Sequence, residues 1–433
     1  MEINQTDISQ TDINGIFNPY KLSWDSTIIF PSTRKLEQLG NRIYNRYPAR
    51  SVFLVPRATI LHKLKERPIS VLDPFMGSGT TAVEATNLNC VVYGAEMDPF
   101  ARLIAEVSSI RFSKVEKEEL NEKFEQIIRN WQQQIPIKKY YPDLKNIEYW
   151  FDDNVFNDLL KLKSYIYENV ANEKYLNFLK VAFADCIKPS SKMERQSTKP
   201  YISSKYEKKK KPVGESFEYS YNAHFNAISQ CNDNVESETR INWVGFDATD
   251  FNSIDQIIDL AITSPPYLNA FDYTQIIKIE SAWVGTLVNS DIDKLRKLQV
   301  GHAKRREQEI FEVVSKIFSQ FYDQLLFSCP KTKKTSNLNV ANNSLAYFND
   351  IFKNLLSVYR ALKDDGEYHM IIGDNVINSV SIPTHKIIAE LAQEVGFKWD
   401  GYYKYPIKDH RTSIPRNNNG GKIDYEYVLI LTK

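Results

Sequence analysis

The run Ile257-Ile258-Asp259-Leu260-Ala261-Ile262-Thr263 is short and mostly apolar, and it ends in Ser264-Pro265-Pro266-Tyr267. The run reads as a buried strand. Two consecutive prolines lack N–H donors and fix φ, so neither a strand ladder nor an ordinary helix continues through them. What remains is a stiff loop at the carboxyl end of a strand, where open α/β sheets bind their ligands. The loop offers a hydroxyl, uncovered backbone carbonyls and an aromatic face. Those groups suit a flat base whose exocyclic amine must be held.

A second strand-to-loop unit stands upstream. Ile69-Ser70-Val71-Leu72 reads as a buried strand and runs into Asp73-Pro74-Phe75-Met76-Gly77-Ser78-Gly79-Thr80-Thr81. The glycines allow a tight turn and a close approach to a ligand. Thr80 or Thr81 is placed to cap a helix through Ala82, Val83 and Ala85. The loop has neither the lysine of a phosphate loop nor the GxGxxG spacing of a dinucleotide site. Val91-Val92-Tyr93-Gly94-Ala95-Glu96 is then a strand ending in a carboxylate. An acid at that distance from such a loop suits ribose hydroxyls.

Together, Asp73-Pro74-Phe75-Met76-Gly77-Ser78-Gly79-Thr80-Thr81 and Ser264-Pro265-Pro266-Tyr267 resemble the S-adenosylmethionine-dependent DNA methyltransferases that modify cytosine N4 or adenine N6. The resemblance implies a doubly wound, Rossmann-like methyltransferase α/β sheet with an antiparallel terminal strand pair, here carrying helical and loop insertions. It implies S-adenosylmethionine as cofactor and double-stranded DNA as partner, and it raises the possibility of a cognate restriction endonuclease. It assigns cofactor contact to Tyr47 and Pro48 and to Asp73, Pro74, Phe75, Gly77, Gly79 and Thr80 of the glycine loop. Glu96 and Asp247 complete that set. Asp247 matches an acid near the adenine amine, although it could simply cap the turn it begins. Catalysis falls to Ser264, Pro265, Pro266 and Tyr267. Serine before the prolines leans towards cytosine N4, with adenine N6 the alternative. The glycine loop precedes the proline loop, an order opposite to that of many relatives, and a doubly wound sheet tolerates such permutation. An RNA guanine-N2 methyltransferase and a catalytically silent DNA-binding protein are rival readings from other classes.

Composition sets the remaining bounds. A chain of 433 residues holds a core domain plus insertions. No apolar run approaches the length needed to span a bilayer, and the polar N-terminus has no signal pattern. Cys90, Cys186, Cys231 and Cys329 are scattered, so neither a zinc site nor a disulfide framework is indicated, and a reduced, cytoplasmic setting is expected. The net charge is +1, but from Lys188 to Pro212 nine basic residues face two acidic ones, which leaves the rest of the chain acidic. Lys208, Lys209, Lys210 and Lys211 lie in this stretch, and tyrosines interleave with it. It reads either as a solvated loop or as a segment that orders on DNA phosphates. Arg305, Arg306 and Arg416 are further candidates for phosphate contact.

The chain divides into 1–112, which carries the cofactor loop; 113–240, a mostly helical insertion suited to DNA recognition or, alternatively, to dimerisation; and 241–433, which carries the catalytic loop. Within the last, 268–344 is a second insertion. Helices are expected over Leu54–Lys65, Val115–Gln134, Val155–Tyr167, Tyr175–Ala184, Leu268–Val288, Leu345–Leu362 and His385–Glu394. Core strands are expected at Ile241–Asp247, Glu367–Ile372, Phe397–Tyr405 and Tyr425–Leu431.

Overall fold

The computed structural model describes residues 5–7, 17–30, 47, 51–64, 68–195, 197–205, 207–230, 240–251, 254–268, 272–302, 315–328, 337–407 and 423–433. Among them run eleven strands: β1 (Gln5–Asp7), β2 (Ser26–Ile29), β3 (Ser70–Asp73), β4 (Val91–Ala95), β5 (Ile241–Gly245), β6 (Ile258–Thr263), β7 (Leu362–Gly373), β8 (Asn375–Ile377), β9 (Val380–Ile382), β10 (Lys398–Pro406) and β11 (Tyr425–Thr432). Nine form one sheet in the order β1-β2-β10-β11-β7-β6-β3-β4-β5, and β8 pairs with β9 apart from it. β11 is antiparallel to both β7 and β10, while the other pairings of the large sheet are parallel. From β3 the chain steps outward through β4 to β5, then returns to β6 beside β3 and steps the other way to β7. The order therefore reverses between β3 and β6, the position where doubly wound sheets open a ligand crevice. The fold is a Rossmann-like methyltransferase sheet.

Period-two alternation builds the two faces. Val71, Leu260 and Ile262 pack with Ile60 of α1 (Leu54–Lys63), Ala82 and Ala85 of α2 (Thr80–Asn87) and Ala105 of α3 (Pro99–Ser109). Leu72 and Ala261 point the other way, into a core with Ile351 and Leu355 of the long helix Asn337–Ala361 and Ile387 and Leu391 of the helix Thr384–Val395. Each Val, Leu or Ile among these stabilises the fold by about 1.5–3 kcal/mol on burial. Asp259 interrupts the apolar run of β6 and is itself buried. It accepts from Ser70 N at 2.9 Å and Ser70 Oγ at 2.8 Å, and pairs with Lys363 Nζ at 3.0 Å. A buried charge tolerates that setting only when so partnered, and here it ties β3, β6 and β7 together.

The segment 113–240 folds as a helical layer: α4 (Lys114–Asn130), α5 (Asp153–Asn169), α6 (Glu173–Ser190) and α7 (Val213–Ser229). α4 starts with a capping box in which Ser113 Oγ accepts from Glu116 N and the Glu116 carboxylate accepts from Ser113 N. The layer shares one apolar core with α3 and α8 (Tyr273–Val284), through Phe100, Phe124, Leu159, Phe178, Phe217 and Trp283. It is therefore built onto the sheet domain.

Several elements differ from the sequence reading. α7 is new: Phe217 and Tyr221, four residues apart, are buried on its inner side, while Tyr219 is exposed. The N-terminal stretch contributes β1 and β2 to the sheet edge, with β2 joined to β10 through Ser26 and Thr27. The long helix begins at Asn337, inside the expected second insertion, which also contains α9 (Ile292–Leu298) and α10 (Lys316–Phe327); we label the two helices that follow α11 (Asn337–Ala361) and α12 (Thr384–Val395). Asp364-Asp365-Gly366, between the expected helix and strand, lies inside β7 as a bulge. There Asp365 takes a positive φ of 61°, and the β6 partner shifts from Leu362 to Glu367. Neither threonine caps α2. Its N-cap is Gly79, in the left-handed region. Among the described residues no helix is long and apolar enough to cross a membrane.

Candidate active site

The carboxyl ends of β3, β4, β5 and β6 open onto one cleft with about 940 Å³ of empty space, continuous with solvent. Of the residues selected from sequence, Tyr47, Asp73, Pro74, Phe75, Gly77, Thr80, Glu96, Asp247, Ser264 and Pro266 line it. Gly79, Pro265 and Tyr267 do not. Pro48 lies outside the described residues.

The glycine loop is shaped by its backbone. Gly77 and Gly79 have φ of 51° and 84°, a region where a β-carbon is strained. A Cβ on Gly79 would lie 2.8 Å from Ala105 Cα, so this glycine lets α2 meet the backbone of α3. Its observed contact is close packing against α3. Gly77 faces the cleft and packs on Tyr47, whose Cε1 would be 3.3 Å from an added Cβ. Tyr47 stacks in turn on Tyr273 at 6.4 Å.

Three carboxyl groups converge here. Asp73 Oδ1 accepts from Phe75 N at 3.0 Å and from Thr263 Oγ1 at 2.6 Å, linking the ends of β3 and β6. Glu96 accepts from Gly77 N at 2.7 Å on one oxygen and from Asp98 N at 2.9 Å on the other, so it braces the glycine loop from β4. Asp98 caps α3 through Phe100 N and Ala101 N. Burial pushes the Asp73 carboxyl up to about 6, against the opposing hydrogen bonds from Thr263, Thr81 and Phe75. Burial, reinforced by the charge of Asp98 and Asp73, pushes Glu96 up to about 7. Burial raises Asp98 as well. Burial thus disfavours the ionised form of all three carboxyls, a cost that a cation placed beside them would offset.

Asp247 does both things expected of it. It lines the cleft, and its Oδ1 accepts from Thr249 N at 2.8 Å and Thr249 Oγ1 at 2.7 Å, capping its turn. Beside it Phe246 is 61% exposed and lines the cleft. The Arg102 guanidinium sits 4.5 Å from the Phe246 ring and 4.2 Å from Trp243, holding both rings at the end of β5. Sequence reading missed Phe246; an aromatic residue next to the strand-end acid was the signal. It also missed Asp98 and the far wall at Gln299 and Val300. Tyr273 and Thr274 of α8 form another part of that wall.

On the opposite lip Pro265 is buried and Ser264 and Pro266 face the cleft. Among the described residues the Ser264 hydroxyl has no hydrogen-bond partner. Tyr267 turns towards β11, and its hydroxyl donates to Glu426.

The basic residues divide. Lys208 Nζ donates to the carbonyls of Lys188 and Ser191 at 2.5 and 3.0 Å, closing the C-terminal end of α6. Lys210 pairs with Asp152 at 2.6 Å and Glu207 at 3.2 Å. These two hold the segment onto the helical layer. Lys209 and Lys211 are exposed, the latter 4.8 Å from the Tyr219 ring. Arg305, Arg306 and Arg416 lie outside the described residues.

The family model described as DNA methylase matches residues 2–107. The Type II methyltransferase M.MvaI of Kocuria varians is 23% identical over 84% of this chain and 84% of its own length. The Type II methyltransferases M.AvaI of a Nostoc strain and M.BsoBI of Geobacillus stearothermophilus are 23% and 22% identical, over 84% and 81% of this chain and 80% and 76% of theirs. The family match covers the glycine loop and α3, and the relatives' similarity spans most of the chain, so the chain is similar to the N6/N4 DNA methylases.

Proposed function

We propose that this enzyme transfers a methyl group from S-adenosylmethionine to the exocyclic amine of a flipped-out base in double-stranded DNA, with cytosine N4 the favoured target. The observation that carries this reading is the pairing, across one cleft, of a Ser264 hydroxyl without a partner among the described residues with a cluster of buried carboxyls. The cofactor is a cation with an amino-acid end, a ribose and a flat adenine. The residues present fit it: Asp73 and Glu96 offer anionic oxygens, Gly77 a close backbone approach, Asp247 an acceptor and Phe246 an exposed ring. Bound there, it supplies an electrophilic sulfonium methyl.

An exocyclic amine is a poor nucleophile because its lone pair is delocalised into the ring. Ser264 Oγ and the Pro265 carbonyl accept its two hydrogens and favour a more pyramidal nitrogen with a freed lone pair. The prolines fix those acceptors before the substrate arrives. The amine must also be held at near-attack distance, about 3–3.5 Å. Tyr267 offers its face to the base, and the amine proton leaves to Ser264 or water. A base within a duplex cannot reach the lip, so it must leave the stack. Within the run Lys208–Lys211, Lys209 and Lys211 are the lysines exposed for contact with phosphates. The Type II names of the relatives support a modification role beside a cognate endonuclease.

Sequencing with modified-base detection after expression in a methylation-free host tests all of this. N4-methylcytosine in a fixed context is expected. N6-methyladenine would move the target but keep the chemistry, and unmodified DNA would end the proposal.

A further inference from the structure

The proline lip is braced from outside itself. Tyr267 donates its phenol hydrogen to Glu426 on β11. In the sheet, Glu426 stands opposite Gly373 of β7 on one side and Tyr405 of β10 on the other. Gly373 gives the Tyr267 ring room: a Cβ there would come within 3.1 Å of Tyr267 Cε2 and 3.0 Å of Ile423 Cγ2. On the other side of the lip, Gly301 has φ of 76°, and its added Cβ would lie 3.5 Å from the Tyr267 carbonyl oxygen. The hydroxyl is thus held by a bond to β11, while glycines of β7 and of the turn at 301 leave room beside the ring and the carbonyl.

We propose that Glu426 is a positioning residue for methyl transfer, holding Tyr267, and through it the proline lip, in a single orientation. This rests on the methyl-transfer reading above. A phenol bonded to a carboxylate makes a short, directional, charge-assisted hydrogen bond. With its only hydrogen so engaged, Tyr267 meets a base with its face and not with its hydroxyl. β11 enters the sheet antiparallel, which brings its first residues to the carboxyl ends of β6 and β7 and so places Glu426 beside the lip. The reversed strand has a job at the site as well as in closing the sheet. Glu426 touches no reacting atom, so its removal should alter the transfer step and leave cofactor binding alone.

The test measures kcat, KM for DNA and cofactor affinity for the full chain on genomic DNA from a methylation-free host. Glu426→Ala is expected to lower kcat about tenfold or more through lip misplacement, with cofactor affinity unchanged. Glu426→Gln keeps an acceptor for the phenol and should recover a large part of the loss. Tyr267→Phe combined with Glu426→Ala should be no slower than the worse single variant, because both break one link. A Glu426→Ala enzyme with wild-type kcat, or losses that multiply in the double variant, would overturn the proposal. If Glu426→Ala does not fold, Tyr267→Phe alone decides, since it cuts the same bond with the carboxylate in place: a clear loss of kcat supports the link and an unchanged kcat removes it. Failure of the wild-type chain to methylate DNA would sink the parent reading, a result distinct from these.

Discussion

The two lips of the cleft reach rigidity by opposite routes. The glycine loop is held by its own backbone: two residues at positive φ, one of them against the backbone of Ala105, and a carboxylate from the neighbouring strand closing it through N–H groups. The proline lip is stiff in φ by chemistry, but its direction is set by distant partners, Glu426 and Gly373 at Tyr267 and Gly301 behind its carbonyl. A lip of the first kind fails when a β-carbon is added. A lip of the second kind fails when a contact far away in sequence is removed. The first is a question of folding, the second of catalysis.

That contrast can be broken in graded steps. Removing the acceptor itself should have the largest effect. Ser264→Ala is expected to lower the transfer rate by about 10²–10³, the scale seen when a preorganised transition-state partner is lost. Cofactor affinity by equilibrium dialysis should stay normal; retained turnover would disprove the role given to Ser264. Next, Gly79→Ala should destabilise the fold by about 2–4 kcal/mol, from left-handed strain and a backbone clash. Gly77→Ala should cost less, since it shares the left-handed strain but meets the Tyr47 ring in place of backbone. Equal melting temperatures for the two variants would contradict the packing role assigned to Gly79.

Third comes pH. Burial raises the folded-state pKa of Glu96 to about 7 and of Asp73 to about 6. Between their ordinary values and these, the native chain holds more protons than the unfolded one, so the ligand-free protein should lose stability as pH rises through that window. A cationic cofactor favours the ionised carboxyls, so its affinity should climb with pH up to about 7 and then level. Glu96→Gln should flatten both profiles; unchanged slopes in melting and dialysis would remove Glu96 as their source. The smallest effect belongs to Pro266→Ala. It should lower stability by about 0.4–1 kcal/mol, through a freer unfolded chain, and reduce turnover modestly. Full activity with a normal melt would mean that the tertiary braces alone stiffen the lip.

The strand-end motifs were legible because a short apolar run followed by glycine or proline punctuation is a local signal. Ser70–Asp73, Ile258–Thr263 and the closing pair fall within a residue or two of their expected bounds. α7 was hidden, because its buried Phe217 and Tyr221 directly follow a lysine run that draws attention to charge. β1 and β2 were hidden because short edge strands acquire their pairing from β10 and show little pattern of their own. In the basic stretch, composition could not separate Lys208 and Lys210, which bond within the protein, from Lys209, which faces solvent.

By itself the chain's order of residues determined where the backbone can turn, since the φ freedom of Gly77 and Gly79 and the ring-fixed φ of Pro265 and Pro266 are covalent and local. Only the folded molecule decided that Gly79 serves packing, that Phe246 and Gln299 face the cleft, and that Tyr267 answers to Glu426, 159 residues away. Those outcomes depend on which strands become neighbours. Neighbours far apart in sequence are chosen by the burial and pairing of the whole sheet, and no local stretch of residues contains that choice.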